Sequence, residues 1–477
     1  MERALSRDDL RLALGELPEI PSPRELQRLL ADAELSLFTG RPDIPDELVR
    51  TGWYLHAIAS TGGERIDWPR RERAFRVSAH ILELAGRSDR PAAERLDCVF
   101  GSELGYRRGG LDPNAMAVFR SAAPLLDEIA DDTAPWRATL AVEAAVYLLS
   151  FRTFETFAWL TERRAGFAQL RRETELDDLA GTMFGPAEHI VEACQGLLRF
   201  LIFGDRSPFR SAQRRLRRLV GPGAEPATVN ERWVAAHLLA LSDELDAASI
   251  WTCLPPDVPT AARRALTSTF PPVLTLWEPQ RELLAAGGDA TALLASDTKR
   301  AILSVPTSAG KTLVAQILVL AELARTDQCV CLIAPQRSLV REIRRALLPR
   351  VRALRKSLSP DLPDFLADFA ADVLDEDPPD VDVMTPERFA AMLRTDPKGV
   401  LDRYGLLIFD EAHLVGDPGR GFTLEGALTY LHWRTQDTAH RIVLMSAAIG
   451  NEAAFQAWLR TDQPVTPFVR NGAARDA

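Results

Sequence analysis

The chain has 477 residues, 46% apolar and 26% charged, with a net charge of −10. That length holds roughly two to four domains with buried cores, and no apolar run approaches the length needed to cross a bilayer. The acidic balance excludes a global positive field as the means of meeting a polyanion, so any nucleic-acid contact needs a local basic path.

The charged start Met1-Glu2-Arg3 lacks a signal peptide's apolar stretch. Cys98, Cys194, Cys253, Cys329 and Cys331 are odd in number and scattered, which argues against a disulfide framework and a zinc site. A cytoplasmic protein without a membrane partner is expected.

From about 1 to 265 the pattern is helical almost throughout. Pro23 opens a segment with Leu26, Leu29, Leu30 and Ala33 on one face and Ser22 as its cap. Further helices are expected at about 45–60, 69–86, 113–130, 134–150, 153–175, 186–203, 208–220 and 227–249, separated by Gly, Pro and Asp. No fixed repeat period stands out. Trp53, Trp68, Trp136, Trp159 and Trp233 sit at spacings that suit a helical core, although indoles also stack bases. Arg206, Arg210, Arg214, Arg215, Arg217 and Arg218 share one segment; a solvated arginine face is the plainer reading, and a surface for nucleic acid or an acidic partner the sharper one.

Pro255-Pro256 and Pro271-Pro272 mark a change of regime. Strands are expected at 301–305, 330–334, 380–384, 406–409 and 442–445, with helices between them. That alternation reads as an α/β domain with a parallel sheet over 270–477, preceded by a large all-α domain over 1–265. The acidic stretch 358–379 reads as a solvated connection.

Within the α/β region, an apolar strand runs into Pro306-Thr307-Ser308-Ala309-Gly310-Lys311-Thr312 and then into an apolar helix. A small-residue turn before a helix N-terminus points backbone N–H groups at one anion, and an ammonium adds a point charge. Gly310 allows close approach, Lys311 would reach the β- and γ-phosphates of ATP, and Thr312 would ligate Mg²⁺. The usual first glycine is replaced by Pro306. Against that, Lys299, Lys311, Lys356 and Lys398 are the only lysines among 57 basic side chains, so a lysine here marks a position where a compact point charge is needed.

Leu406-Leu407-Ile408-Phe409 ends in Asp410-Glu411-Ala412-His413. Strand ends of a parallel sheet open onto one crevice, so Asp410 would hold the metal and Glu411 would serve as general base toward the γ-phosphate.

Together, Pro-Thr-Ser-Ala-Gly-Lys-Thr and Asp-Glu-Ala-His-Leu-Val resemble the superfamily 2 nucleic-acid helicases with a DEAH-type motif, in the branch of archaeal repair helicases and RNA-exosome helicases. The resemblance covers about 274–459 and implies a RecA-like first lobe that binds ATP, Mg²⁺ and nucleic acid. It implies adenine recognition through Trp277 and Gln280, and a phosphate loop of Thr307, Ser308, Ala309, Gly310, Lys311 and Thr312. Backbone contacts to nucleic acid would come from Arg337, Thr385 and Arg388. Coupling would run through Ser446 and Ala447 against His413; Ala448 stands where the family has threonine.

Motifs of a second RecA-like lobe do not follow Ser446-Ala447-Ala448, so that lobe is expected in a missing C-terminal part or on another chain. ATP turnover by this chain alone should then be very slow. DNA is favoured over RNA by the motif wording. The helical extension resembles helicase subunits of bacterial antiphage systems such as Hachiman, which implies a nuclease or other effector partner. The competing expectation is an ATP-sensing module whose helical domain recruits a protein; Gln280, Arg337 and Thr385 disfavour a P-loop kinase.

Overall fold

The computed structural model describes residues 21–40, 42–62, 66–130, 139–173, 177–221, 223–277, 280–281, 284, 293–295, 298–304, 310–360, 378–415, 417, 421–436, 438–446 and 452–459. The chain divides into two compact units, 1–200 with 205–243 and 201–204 with 244–477.

The first unit is helical. It contains α1 (Pro23–Phe38), α2 (Asp46–Thr61), α3 (Trp68–Gly86), α4 (Ala92–Arg108), α5 (Asp112–Ala130), α6 (Leu140–Leu149) and α7 (Thr153–Glu173). It also holds most of α8 (Asp177–Phe203), then α9 (Arg206–Val220) and the greater part of α10 (Val229–Ala248). Ser22 caps α1 by accepting the Glu25 N–H at 3.3 Å, with Pro23 in the first turn.

The α4 segment is absent from the periodicity reading, and its packing explains why. Leu96, Cys98, Val99, Phe100, Gly101, Ser102, Glu103, Leu104, Gly105 and Tyr106 are all buried, so little polar face marks a helix. Gly101 and Gly105 let neighbours in: a Cβ would lie 2.7 Å from Trp53 Cη2 at the first and 2.9 Å from Ala79 Cβ at the second.

Trp53 and Trp233 pack edge to face at 5.4 Å and Trp159 stacks on Tyr147 at 4.6 Å, whereas Trp68 is exposed. Trp136 lies outside the described residues.

The second unit includes α11 (Ile250–Cys253) and α12 (Thr260–Thr267), which periodicity groups with the all-α region. A doubly covered sheet follows, with β1 (Arg300–Ser304), β2 (Cys329–Ile333), β3 (Val381–Met384), β4 (Tyr404–Phe409) and β5 (Arg441–Ser446). Between the strands run α13 (Lys311–Arg325), α14 (Arg337–Ala353), α15 (Pro386–Thr395), α16 (Pro397–Arg403) and α17 (Gly421–Arg434), and α18 (Glu452–Leu459) comes last. The order is β1-β5-β4-β2-β3 and every pair is parallel.

Successive strand residues feed opposite layers. Ala301, Leu303, Val330, Leu332, Leu406, Ile408, Val443 and Met445 pack with α12, α13 and α14. Ile302, Cys331, Ile333, Leu407, Phe409, Ile442 and Leu444 pack with α15, α16 and α17. Burial on both faces is why the strands read as apolar runs, broken within β3 only by Asp382, which accepts from Tyr404.

Buried polar groups fix the sheet's other end. Arg300 donates to the Thr435 and His440 carbonyls, Arg441 pairs with Glu322, and Tyr404 donates to Asp382 at 2.7 Å. Arg263 gathers the carbonyls of Ile250, Trp251, Leu254 and Pro255. The chain at 274–276 is tied to 248–250, with Ile250 N–H donating to Leu274 O and Leu276 N–H to Ala248 O. Most of the acidic connection, 361–377, lies outside the described residues.

Candidate nucleotide site

The parallel register brings the C-terminal ends of the strands into one row. Ser304 of β1 is aligned with Ser446 of β5, and Leu444 of β5 with Phe409 of β4. Beyond β4 the ladder runs one residue further, with Asp410 N–H donating to Ile333 O at 2.8 Å.

Gly310 caps α13 in the left-handed region at φ +78°. Only glycine takes that conformation without strain, and there is a second constraint. A Cβ at 310 would lie 2.2 Å from Gln280 Nε2. Gln280 is buried, and its Oε1 accepts the Trp277 N–H at 3.0 Å. Gln280 thus packs on the glycine before the lysine, a contact that spacing alone gives no hint of.

Lys311 begins α13, is 7% exposed, and its Nζ lies 3.2 Å from Glu411 Oε1. Glu411 has φ +52°, a costly conformation for a side chain with a Cβ. It follows Asp410, whose Oδ1 accepts the Glu411 N–H at 2.9 Å. That kink turns two neighbouring carboxylates away from the extended path on which they would alternate. Burial pushes the Asp410 carboxyl above the usual carboxylate range, against the Glu411 N–H that holds it down.

Glu411 Oε2 is buried and takes no hydrogen bond among the described residues, although His413 Nδ1 stands 3.2 Å away. The same His413 nitrogen is 3.2 Å from Ser446 Oγ. Ser446, at the end of β5, is therefore joined through His413 to the end of β4.

These features fit a phosphate and a divalent cation. Gly310 opens α13 beside the buried Lys311 ammonium, Asp410 is a carboxyl whose charged form burial disfavours and a cation would favour, and Glu411 Oε2 is a buried acceptor without a hydrogen bond among the described residues. Thr312 is exposed in the first turn of α13. Thr307, Ser308, Ala309 and Ala447 lie outside the described residues.

The three residues expected at nucleic acid begin two helices. Arg337 is exposed at the start of α14. Thr385 caps α15, its Oγ1 accepting the Arg388 N–H at 3.5 Å. A groove of about 490 Å³ on α17, lined by Phe422, Glu425, Gly426, Thr429, Tyr430 and Trp433, shares no residue with the nucleotide set.

Residues 289–455 match the family described as DEAD/DEAH box helicase. The chain is 29% identical over 239 residues to Hachiman protein HamB of Bacillus cereus, covering 48% of this chain and 20% of that protein. It is 32% identical over 167 residues to the ATP-dependent DNA helicase Hel308 of Thermoplasma volcanium, covering 34% of this chain and 23% of that protein. The chain thus spans about a fifth of the length of these relatives. Among solved structures it is similar to the helicase domain of Pyrococcus furiosus Hef, at 20% identity over 35% of this chain and 34% of that one, with a TM-score of 0.25; a likeness of that size does not bear on the fold.

Proposed function

We propose that the chain, whose residues 289–455 match the DEAD/DEAH box helicase family, is the ATP-binding part of a nucleic-acid-dependent motor that acts on DNA. The observation that carries this reading is the 3.2 Å approach of Lys311 Nζ to Glu411 Oε1 beside Gly310, which unites a phosphate-binding lysine with a candidate base.

In this reading Lys311 holds the β- and γ-phosphates of ATP, and Thr312 and Asp410 hold Mg²⁺. The cation neutralises charge on the phosphate oxygens when bound. Glu411, released from Lys311, orients the attacking water and takes its proton. Gln280 packs on Gly310 and, with Trp277, faces the base. His413 transmits the state of Glu411 to Ser446, and Arg337, Thr385 and Arg388 hold the nucleic-acid backbone from two helix starts.

Hydrolysis also needs a cation facing the γ-phosphate, worth roughly 10³–10⁵ in rate. We assign it to a second RecA-like lobe, from further sequence or another chain. DNA is preferred because relatives such as Hel308 are named DNA helicases. The likeness to HamB supports a place in antiphage defence alongside an effector such as a nuclease.

The test is steady-state ATPase activity with and without single-stranded DNA or RNA, by this chain alone and with a partner or longer form carrying the second lobe. Slow turnover alone, with stimulation by DNA once the lobe is added, is expected. Nucleotide binding without turnover in the completed assembly would instead make the chain an ATP-sensing module. Stimulation by RNA alone would reject the DNA assignment.

A further inference from the structure

We infer that α9 is a second nucleic-acid contact, in the helical unit, gripping a sugar-phosphate backbone through Arg210, Arg214, Arg217 and Arg218. This rests on the nucleic-acid function proposed above and adds a site to it.

The helix has 15 residues, six of them arginine and none acidic, within a chain of net charge −10. Its apolar side is anchored by buried Phe209, Ala212, Leu216 and Leu219, and Gln213 donates to Ser242 and Asp243. The arginine side therefore has a fixed orientation. At 3.6 residues per turn the four side chains fall within an arc of about 100° and span about 12 Å along the axis, three to four nucleotides at the per-strand rise of DNA.

What separates these arginines from others is their lack of partners. In the same unit Arg76 pairs with Glu72, Arg87 with Glu83 and Arg107 with Glu103, each one turn away. On α9 itself Arg215 pairs with Glu192 at 2.6 Å, and Arg206 lies 4.7 Å from the centre of the Phe200 ring. Arg210, Arg214, Arg217 and Arg218 are exposed and have no acidic partner among the described residues. Arg210 with Arg214, and Arg214 with Arg218, are like charges four apart, which destabilise a helix. The helix C-terminus favours Arg217 and Arg218; Arg210 and Arg214, further from it, gain little. A polyanion laid along the stripe relieves all four.

The experiment titrates the full chain with labelled oligothymidylate and with a duplex over a range of salt. It compares the parent with Arg210→Gln/Arg214→Gln/Arg217→Gln/Arg218→Gln and with the same four positions changed to Lys. Neutralising four phosphate contacts should lower the slope of log affinity against log salt by about 3 on the single strand. Affinity at low salt should fall at least about tenfold, while the Lys variant keeps the parent slope. An unchanged slope in the Gln variant overturns the inference, as does a parent that binds neither strand. Loss of polyglutamate binding with nucleic-acid binding intact also overturns it, giving the surface to an acidic protein. Binding of an ATP analogue, measured in parallel, reports on the helicase site separately.

Discussion

Lys311 and Glu411 are 100 positions apart and meet through a single 3.2 Å contact. The sequence spacing within each motif made both residues legible as candidates, since each ends or begins an element whose apolar residues are plain. Their mutual contact was not legible, because it depends on the register of β4 against its neighbours and on the left-handed turn at Glu411. The helicase resemblance gives Gln280 a role at the base, while its packing on Gly310 has no signal in spacing. At this scale the prediction is sharp: Lys311→Ala should abolish binding of a fluorescent ATP analogue, and an unaltered affinity would sink the phosphate site. Ser446→Ala should leave basal turnover of the completed motor near the parent value while lowering its stimulation by nucleic acid several-fold; a stimulation ratio equal to the parent's would remove Ser446 from the coupling path.

Among elements, the strands were the easiest to read. Both faces are buried, so the strands are short, mainly apolar runs, with Arg300, Asp382 and Arg441 as their charged members. The helices of the first unit were legible where one face is polar, and α4 was not, because its neighbours cover most of it. α8 begins at Asp177 and carries Pro186 inside it, a residue that reads as a helix start. The glycines of α4 carry a test. A Cβ at Gly105 would meet Ala79 Cβ at 2.9 Å and the Phe75 carbonyl at 3.0 Å, and a backbone oxygen does not move aside cheaply. Gly105→Ala should cost about 1–3 kcal/mol by overpacking. Gly166, in α7 with nothing within 4 Å, is the control: there Ala should stabilise by up to about 1 kcal/mol. Denaturant midpoints of the two variants moving in the same direction would contradict this account.

On the scale of the whole molecule, the division into a helical unit and an α/β unit follows from periodicity, although the contact boundary at 243/244 precedes the proline-rich stretch that marks it in the sequence. The helical unit has a feature that no pattern announces. His56 and His237 face each other with Nε2 atoms 3.4 Å apart, among Trp53, Phe75, Phe100 and Trp233. Burial pushes their pKa values down to about 3 and about 4. The unfolded chain takes up these protons near pH 6.5 and the folded unit does not, so protons favour unfolding as the pH falls below 6.5. Stability is fully present above that pH and should decline down to about pH 3, where the second folded histidine protonates, with the decline between pH 6.5 and 5 preceding most carboxylate titration. Trp53 and Trp233 supply a fluorescence readout of urea unfolding, and replacing both histidines by Gln should flatten the curve in that window. An equal slope in parent and variant would place the acid sensitivity elsewhere.

The ion pair at the nucleotide site also has a kinetic side. Glu411 is held near Lys311 by the fold, so it acts as a tethered competitor whose effective concentration at the ammonium is fixed by the chain and does not fall on dilution. An incoming phosphate must displace it, and the carboxylate so released becomes the base that the reaction needs. Glu411→Gln removes both roles at once. It should therefore raise affinity for an ATP analogue while hydrolysis in the completed motor is lost. Affinity that fell along with turnover would mean that Glu411 supports the turn and does not compete for the lysine.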